Sequence, residues 1–338
     1  MELTEFNNFL RTKYKTDIVF FDQFMEEALY SEFGFFNTKK VRSKKSGDFL
    51  TSPEVSKYFG KVINNWIKTN SLKSNIVELG SGTGSLIEQI THKKIFAIEL
   101  SLTARKELRK KNIENFDSID NLSFDNSDLV FGNEVLDNIP CSIAIYKNNK
   151  WFEKAVKLSD QSLSYHHVEA RDEVLDWINI NGIQGDENIE VEVQINTDQF
   201  LEDISIKLNP QYYLFFDYGF EQKDRKKRKY KSLLRTYKDH HLGIDPIQDP
   251  GNVDITYDVN FSSVSRKLET LGYRSTLLSQ NSFLIENGFN EYFDQLQNQL
   301  LSSEGLENLT INSELSGLKA LIDSNGLGGF YCLIAKKI

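Results

Sequence analysis

The feature that most constrains this chain is a glycine-rich turn directly after a short apolar run. Residues 76–79 (Ile-Val-Glu-Leu) predict a strand, and the turn at 80–84 (Gly-Ser-Gly-Thr-Gly) leads into a helix predicted over 85–91. Glycine permits the positive φ angles of a sharp turn and lets a ligand approach the backbone closely. Because the G-x-G-x-G spacing differs from the G-x-G-x-x-G fingerprint of dinucleotide folds, the turn does not have to hold a diphosphate.

An acidic residue after the next predicted strand adds a second part to this site. The strand is predicted over 95–98, and Glu99 follows it. A carboxylate there can accept hydrogen bonds from both ribose hydroxyls of an adenosine-bearing ligand. A structural tight turn is the alternative, but strand, turn, helix and acid together favour a cofactor site. The predicted cofactor contacts are Glu78, Gly80, Ser81, Gly82, Thr83, Gly84 and Glu99.

Short apolar runs and helical patterns alternate along the chain, which predicts an α/β fold with a parallel sheet. Further strands are predicted over 128–132 and 212–216 and near 274–279 and 329–335, a hairpin over 143–152, and helices over 53–67, 102–111, 169–179 and 197–208, with residues 1–36 mostly helical. We divide the chain into an N-terminal helical and lid region (1–70), a Rossmann-like cofactor half (71–140), an inserted substrate region (141–210) and the remainder of the sheet (211–338).

The composition narrows the class of protein. The 338 residues carry a formal net charge of −9, with 39% hydrophobic and 26% charged residues, which is typical of a globular protein without a global attraction to nucleic acid or anionic membranes. The two cysteines do not form a disulfide framework, and the paired histidines at 166–167 and 240–241 lack metal-ligand spacing, so we expect no metal. Because the first residues lack the order of a signal peptide, we expect a cytoplasmic protein.

Four motifs spread over nearly the whole chain give it a resemblance to a known family. They are FDQFMEEALY at 21–30 with FGFF at 33–36, GDFLTSPEV at 47–55 with FG at 59–60, GNEVLDNIP at 132–140, and DYG at 217–219 followed by LRTYKDH at 234–240 and DPGNVDIT at 249–256. With these motifs the chain resembles the MidA family of methyltransferases, whose mitochondrial members are complex I assembly factors. The family turn usually reads Gly-Pro-Gly-Arg-Gly, and here Ser81 and Thr83 take the two variable positions.

The resemblance implies a Rossmann-like class I methyltransferase sheet with a helical N-terminal region and an inserted substrate region. It also implies S-adenosylmethionine as the cofactor and methyl transfer to an arginine of a protein. A respiratory complex I subunit, or its bacterial counterpart, is then the candidate substrate.

Polar residues at two predicted strand ends are the candidate catalytic residues. Asn133 and Glu134 follow the strand at 128–132, and Asp217 and Tyr218 follow the apolar run at 212–216. Open α/β sheets bind ligands at the carboxyl ends of their strands, and carboxylates can grip a guanidinium group with two hydrogen bonds. We expect Asn133 to contact the cofactor, Glu134 and Asp217 to act on the acceptor, and Tyr218 to contact substrate. For Asp217, a structural bond to the turn that follows is the alternative.

Other motif residues have weaker assignments. Asp137 is predicted to assist Glu134, with the N-cap of a following helix as an equal alternative. Asp48 and Thr51 precede the predicted 53–67 helix and are predicted to contact the cofactor as part of a lid, with an ordinary N-cap loop as the alternative. Arg235, Tyr237 and His240 lie in a polar stretch and are predicted substrate contacts.

The sequence leaves other functions open. Methyl transfer to RNA or to a small molecule is one alternative, because a basic run lies at 223–231, although such runs are usually solvated. A cofactor-binding assembly factor that acts by binding a partner is another, and a nicotinamide oxidoreductase is disfavoured by the glycine spacing. As partners we expect an arginine-bearing protein substrate and neither membrane nor nucleic acid, with a homodimer as the candidate assembly.

Overall fold

A computed structural model describes residues 3–37, 51–160, 162–227, 232–238 and 241–338. Asp48, His240 and most of the predicted lid loop lie outside the described residues. The strands are β1 Ile18–Phe20, β2 Ile76–Leu79, β3 Ile95–Ile98, β4 Asn115–Phe116, β5 Leu129–Asn133, β6 Ser142–Lys147, β7 Lys150–Leu158, β8 Leu163–Glu169, β9 Glu190–Val193, β10 Tyr212–Asp217, β11 Gly219–Phe220, β12 Leu234–Lys238, β13 His241–Leu242, β14 Asp254–Tyr257, β15 Val259–Asn260, β16 Tyr273–Ser279 and β17 Tyr331–Lys337. The helices are α1 Leu3–Tyr14, α2 Phe21–Tyr30, α3 Ser52–Val55, α4 Tyr58–Thr69, α5 Leu102–Lys110, α6 Asp172–Ile180, α7 Ile195–Leu208, α8 Phe261–Thr270, α9 Gln280–Glu286, α10 Phe289–Ser302 and α11 Gly305–Ile322.

The chain divides into two compact units, each assembled from three separate segments. The Rossmann unit comprises Arg42–Val135, Ile204–Tyr218 and Leu268–Ile338. The insertion unit comprises Met1–Val41, Leu136–Asp203 and Gly219–Lys267. These units cut across the four contiguous regions of the sequence prediction. Within the described residues, no helix combines the length and apolarity needed to cross a bilayer.

The Rossmann unit contains a seven-stranded sheet in the order β16-β17-β10-β5-β2-β3-β4. The pairs from β10 to β4 are parallel, which confirms the predicted α/β sheet, and β17 runs antiparallel between β10 and β16. After β2 the chain continues to β3 and β4 on one side, and then returns to β5 and β10 on the other. This change of direction is where open α/β sheets bind ligands, at the carboxyl ends of β2 and β5.

An apolar core of the Rossmann unit packs one face of α4 against the sheet. Phe216 of β10 lies between Phe59 and Phe283, with ring centroids 4.9 and 5.1 Å away. The single helix predicted over 53–67 is wrong, because α3 ends at Val55 and α4 begins at Tyr58. Ser56 is extended between them, and its hydroxyl accepts the Tyr58 N–H at 3.3 Å in place of a helical carbonyl.

The helix predicted over 85–91 is also wrong, since only a short 3₁₀ turn forms at Ile87–Gln89. The Asn64 side chain of α4 instead bonds two backbone groups of this segment. Asn64 donates to the Gln89 carbonyl at 2.7 Å and accepts the Thr91 N–H at 2.7 Å. The strand predicted over 95–98 and the helix over 102–111 are confirmed by β3 and α5, and β16 and β17 confirm the two C-terminal strands.

The insertion unit contains a five-stranded antiparallel sheet in which β7 pairs with β6 and β1, and with β8. The predicted hairpin is confirmed by β6 and β7, and α6 and α7 confirm the two predicted helices. A buried ion cluster stabilises the unit. The Arg171 guanidinium donates at 2.8 Å each to Asp22 of α2, Ser142 of β6 and Glu153 of β7.

Candidate functional site

The glycine turn adopts the conformation that its sequence predicts. Gly80, Gly82 and Gly84 have φ angles of 61°, 53° and 91°, a region that other residues adopt only with strain. The Gly80 N–H donates to the Ile98 carbonyl at 2.9 Å, which ties the turn to the end of β3. A Cβ atom on Gly80 would lie 3.0 Å from Cγ2 of Val135, so the turn is also tightly packed. Ser81 and Thr83, the two departures from the family pattern, are both buried.

Glu99 holds the glycine turn from the end of β3. Its carboxylate accepts the Gly82 N–H at 2.7 Å on one oxygen and the Ser101 N–H at 2.7 Å on the other. Burial raises the pKa of this carboxyl above its ordinary value, while the two backbone donors oppose the shift. Each carboxylate oxygen can accept more than one hydrogen bond, so Glu99 retains the capacity to accept ribose hydroxyls.

Two buried acceptors lie near the carboxyl ends of the adjacent strands β2 and β5. In the part of the chain that the structure describes, Oε2 of Glu78 and Oδ1 of Asn133 are buried and receive no hydrogen bond. Burial raises the pKa of Glu78 to about 8, and the nearby Glu99 carboxylate adds to this rise. Buried acceptors are normally satisfied, so they fit a ligand that brings N–H and O–H donors, as an adenosine with an ammonium group does.

Glu134 and Asp217 lie at neighbouring strand ends on the same edge of the sheet. Asn133 lies opposite Phe216 in the β5–β10 register, and the Glu134 N–H donates to the Phe216 carbonyl at 2.8 Å. Glu134 has a φ of 53°, an uncommon conformation for a non-glycine residue. Its side chain accepts a hydrogen bond from the Asn133 amide at 3.0 Å. The sheet therefore presents two acids at neighbouring strand ends, next to the glycine turn.

Asp217 and Tyr218 are held in place locally. Asp217 is fully buried, and its Oδ1 accepts the Tyr218 N–H at 2.9 Å. A hydrogen bond of this kind is what the alternative, structural role of Asp217 predicts. The Tyr218 ring packs edge to face on Phe330, with centroids 5.5 Å apart. Both residues lie at the carboxyl end of β10, where the sequence predicted them.

Thr51 is connected to the end of the glycine turn by Glu54, a residue that the sequence prediction missed. Glu54 caps the start of α3 by accepting the Thr51 N–H at 3.2 Å, and its other oxygen accepts the Ser85 hydroxyl at 3.4 Å. Thr51 is the N-cap of α3. The T-x-x-E spacing of a capping box was the signal that could have identified Glu54.

The remaining predicted residues belong to the insertion unit. Asp137 lies in a turn after β5, and the idea that it caps a following helix is wrong because the chain continues into β6. Its carbonyl accepts the Tyr257 N–H at 3.1 Å. Arg235 pairs with the buried Asp258 at 2.7 Å, and Tyr237 lies opposite Asp254 in the β12–β14 register. Their predicted roles toward cofactor and substrate stay predictions.

The basic run at 223–231 makes ion pairs where the structure describes it. Lys223 pairs with Glu221 at 3.0 Å and Lys227 with Asp224 at 2.5 Å, while Arg225 donates to the Glu190 carbonyl at 2.9 Å. Lys223 and Lys227 are thus paired with acids, and charges neutralised by near neighbours contribute little attraction to a polyanion. These contacts give no support to an RNA substrate.

Comparisons with known proteins agree with this geometry. The pattern of a family described as "Putative S-adenosyl-L-methionine-dependent methyltransferase" matches residues 60–278. Two mitochondrial proteins named protein arginine methyltransferase NDUFAF7 homolog are similar to this chain. The one from Drosophila melanogaster is 23% identical over 74% of this chain and 66% of that protein. The one from Caenorhabditis elegans is 24% identical over 81% of this chain and 68% of that protein. The chain thus spans about two thirds of each of these relatives. A candidate methyl transferase from Burkholderia thailandensis, solved with S-adenosylhomocysteine, has the same fold (TM-score 0.84, 21% identity, 99% of this chain and 92% of that one).

Proposed function

Because this chain belongs to the S-adenosylmethionine-dependent methyltransferase family, with S-adenosylmethionine as its cofactor, we propose that it methylates arginine side chains of a protein substrate. The observation that carries the proposal is the pair of acids, Glu134 and Asp217, at neighbouring strand ends beside the glycine turn. The names of the two animal relatives support the same acceptor. A respiratory complex I subunit, or its bacterial counterpart, is the first substrate to test, and the cytoplasm is the compartment that we expect.

The cofactor, when bound, supplies the electrophilic methyl group. The contribution of the chain is to bind and orient. Gly80, Gly82 and Glu99 would hold the adenosine part, and Glu78 and Asn133 offer unsatisfied acceptors to donors of the cofactor. Glu134 and Asp217 would grip the guanidinium group, which fixes its plane and favours a localised lone pair on the attacking nitrogen. Correct placement of the reacting atoms is worth several orders of magnitude in rate.

Labelled methyl transfer into a cell lysate tests the substrate class. The purified protein is incubated with S-adenosylmethionine carrying a labelled methyl group, and the lysate is then separated into protein, RNA and small molecules. We expect label in protein, and methylarginine after acid hydrolysis. Label confined to RNA or small molecules would replace the proposed acceptor, and the absence of transfer would favour an assembly factor that acts by binding a partner.

A Glu134→Gln variant tests the role of the acid pair. Gln keeps the size of the side chain but loses the charge that would pair with a guanidinium, so we expect kcat to fall about 100-fold. The affinity for S-adenosylmethionine, measured by calorimetry, should change less than about threefold, because the proposed partner of Glu134 is the acceptor. Glu269→Gln, at the exposed end of α8, is the charge-matched control. An unchanged kcat in Glu134→Gln would exclude Glu134 from the reaction.

A further inference from the structure

Strand β8 is an edge of the insertion-unit sheet. It pairs with β7 without a bulge from Leu163 opposite Leu158 to Glu169 opposite Phe152, and no other strand in the described part of the chain pairs with it. Ser164, His166, His167 and Glu169 are exposed. A seven-residue edge that is free of proline offers a row of backbone donors and acceptors to another strand.

The hairpin geometry identifies which backbone groups face outward. The Ser159 N–H donates to the Ser162 carbonyl at 3.0 Å, so these two residues form a hydrogen-bonded pair. Hydrogen-bonded and non-hydrogen-bonded pairs alternate along an antiparallel ladder. Ser164, His166 and Val168 therefore direct their backbone groups toward β7. Leu163, Tyr165, His167 and Glu169 direct theirs toward the open edge.

We propose that this edge pairs with β8 of a second copy of the chain, antiparallel across a two-fold axis at His166. His166 is the midpoint of the strand, so this register pairs all seven residues. It sets Tyr165 opposite the partner's His167 and Leu163 opposite the partner's Glu169, and the outward-facing backbone groups meet in each pair. Ser164 lies opposite the partner's Val168. No two carboxylates and no two lysines oppose each other, so the strand is complementary to itself, as an isologous interface requires.

The register makes a specific prediction about disulfide formation. His166 would face the partner's His166 in a non-hydrogen-bonded pair, where Cα atoms are about 4.5 Å apart, within the range of a disulfide. In His166→Cys we therefore expect a covalent dimer under mild oxidation. Ser164→Cys is the matched control, because its two copies would be separated by four residues along the strand, about 13 Å. The native Cys141 and Cys332 are buried and should not interfere.

A second pair of variants tests the backbone pairing itself. Because the His167 N–H faces outward, proline at this position removes a donor from the dimer without removing a bond to β7. In His167→Pro we expect the dimer dissociation constant, measured by sedimentation equilibrium, to rise about tenfold or more, since two hydrogen bonds are lost per dimer. His167→Ala removes the same side chain but keeps the N–H, and should remain dimeric.

Three results would overturn the proposal. They are a monomeric wild-type protein at 100 µM or above, a dimer that His167→Pro leaves unchanged, and cross-linking of Ser164→Cys that is as fast as that of His166→Cys. Melting temperatures of the variants will show whether His167→Pro is folded. If it is not, the comparison of the two cysteine variants decides alone.

Discussion

Replacing Glu99 with Gln should weaken cofactor binding by a predictable amount. The Glu99 carboxylate accepts two backbone N–H groups at 2.7 Å, from Gly82 in the glycine turn and from Ser101 at the start of α5. Glutamine has one acceptor oxygen, so one of the two N–H groups would face the amide NH₂ and remain unsatisfied in a buried site. A buried donor left without a partner costs about 1–3 kcal/mol.

That cost is present with and without the cofactor and lowers the free energy of unfolding, whereas the affinity falls because the charge that would accept the ribose hydroxyls is lost. A hydrogen bond to a charged group contributes about 1.5–3 kcal/mol, so at about 1.4 kcal/mol per tenfold change we expect the dissociation constant for S-adenosylmethionine to rise about 10- to 150-fold. Isothermal titration calorimetry measures it directly. Because burial raises the pKa of Glu99, wild-type affinity should also fall as the pH is lowered toward that pKa, and Glu99→Gln should lose this dependence.

Glu107→Gln in α5 is the matched control, since it removes the same charge from a residue that pairs with Lys110 near the surface, where ion pairs contribute little. Its affinity should equal that of the wild type. A Glu99→Gln protein with a wild-type melting temperature and an affinity within twofold of the wild type would refute the assignment of Glu99 to the cofactor site.

Three further changes act on stability. The pKa of Glu78 is raised to about 8 in the folded chain, so its contribution to the free energy of unfolding is full below its unfolded pKa near 4.5 and is lost as the pH rises through 8. In Glu78→Gln, urea titration should show a shallower fall in unfolding free energy across this pH window, by at most about 1.4 kcal/mol per pH unit. Gly80→Ala should lose about 1–2 kcal/mol of stability for its left-handed backbone, and more for the strain of a tight contact. Gly182→Ala, with a similar φ of 62° and open space around it, should lose only the backbone part in thermal melts. Equal losses in the two variants would contradict the packing argument. Arg171→Ala leaves two buried carboxylates without their cation and should lower the free energy of unfolding by about 3–5 kcal/mol. Glu173→Gln, at the exposed end of the same cluster, should lower it by under about 1 kcal/mol. Similar losses in both variants would show that burial is not the cause.

Local patterns in the sequence were sufficient for much of the Rossmann unit. Apolar runs of four or five residues gave β2, β3, β5 and β10, because a strand buried on both faces of a parallel sheet has few polar positions. The glycine turn and Glu99 were also found from sequence, since positive φ angles select glycine at fixed spacing and the acid follows its strand directly.

Where prediction failed, partners distant in sequence changed the local outcome. The pattern of 85–91 favours a helix, but Asn64 of α4 captures backbone groups at 89 and 91. Aspartate is a residue type that favours N-cap positions, but the segment after Asp137 enters the strand β6. The periodicity of the sequence cannot predict side chains that compete for backbone hydrogen bonds, because the competing groups become neighbours only in the folded chain.

The sequence by itself determined that this chain builds a parallel sheet with a glycine turn after its first strand, and it predicted an acid that would accept hydrogen bonds from an adenosine-bearing cofactor. Only the tertiary structure decided that Asn133 and Glu134 lie beside Phe216 and Asp217, and that Glu54 connects Thr51 to Ser85. The physical reason is the difference in range between the two kinds of information. Backbone conformation and burial are encoded within a few residues, whereas strand neighbours and long-range hydrogen bonds depend on the order in which the strands enter the sheet.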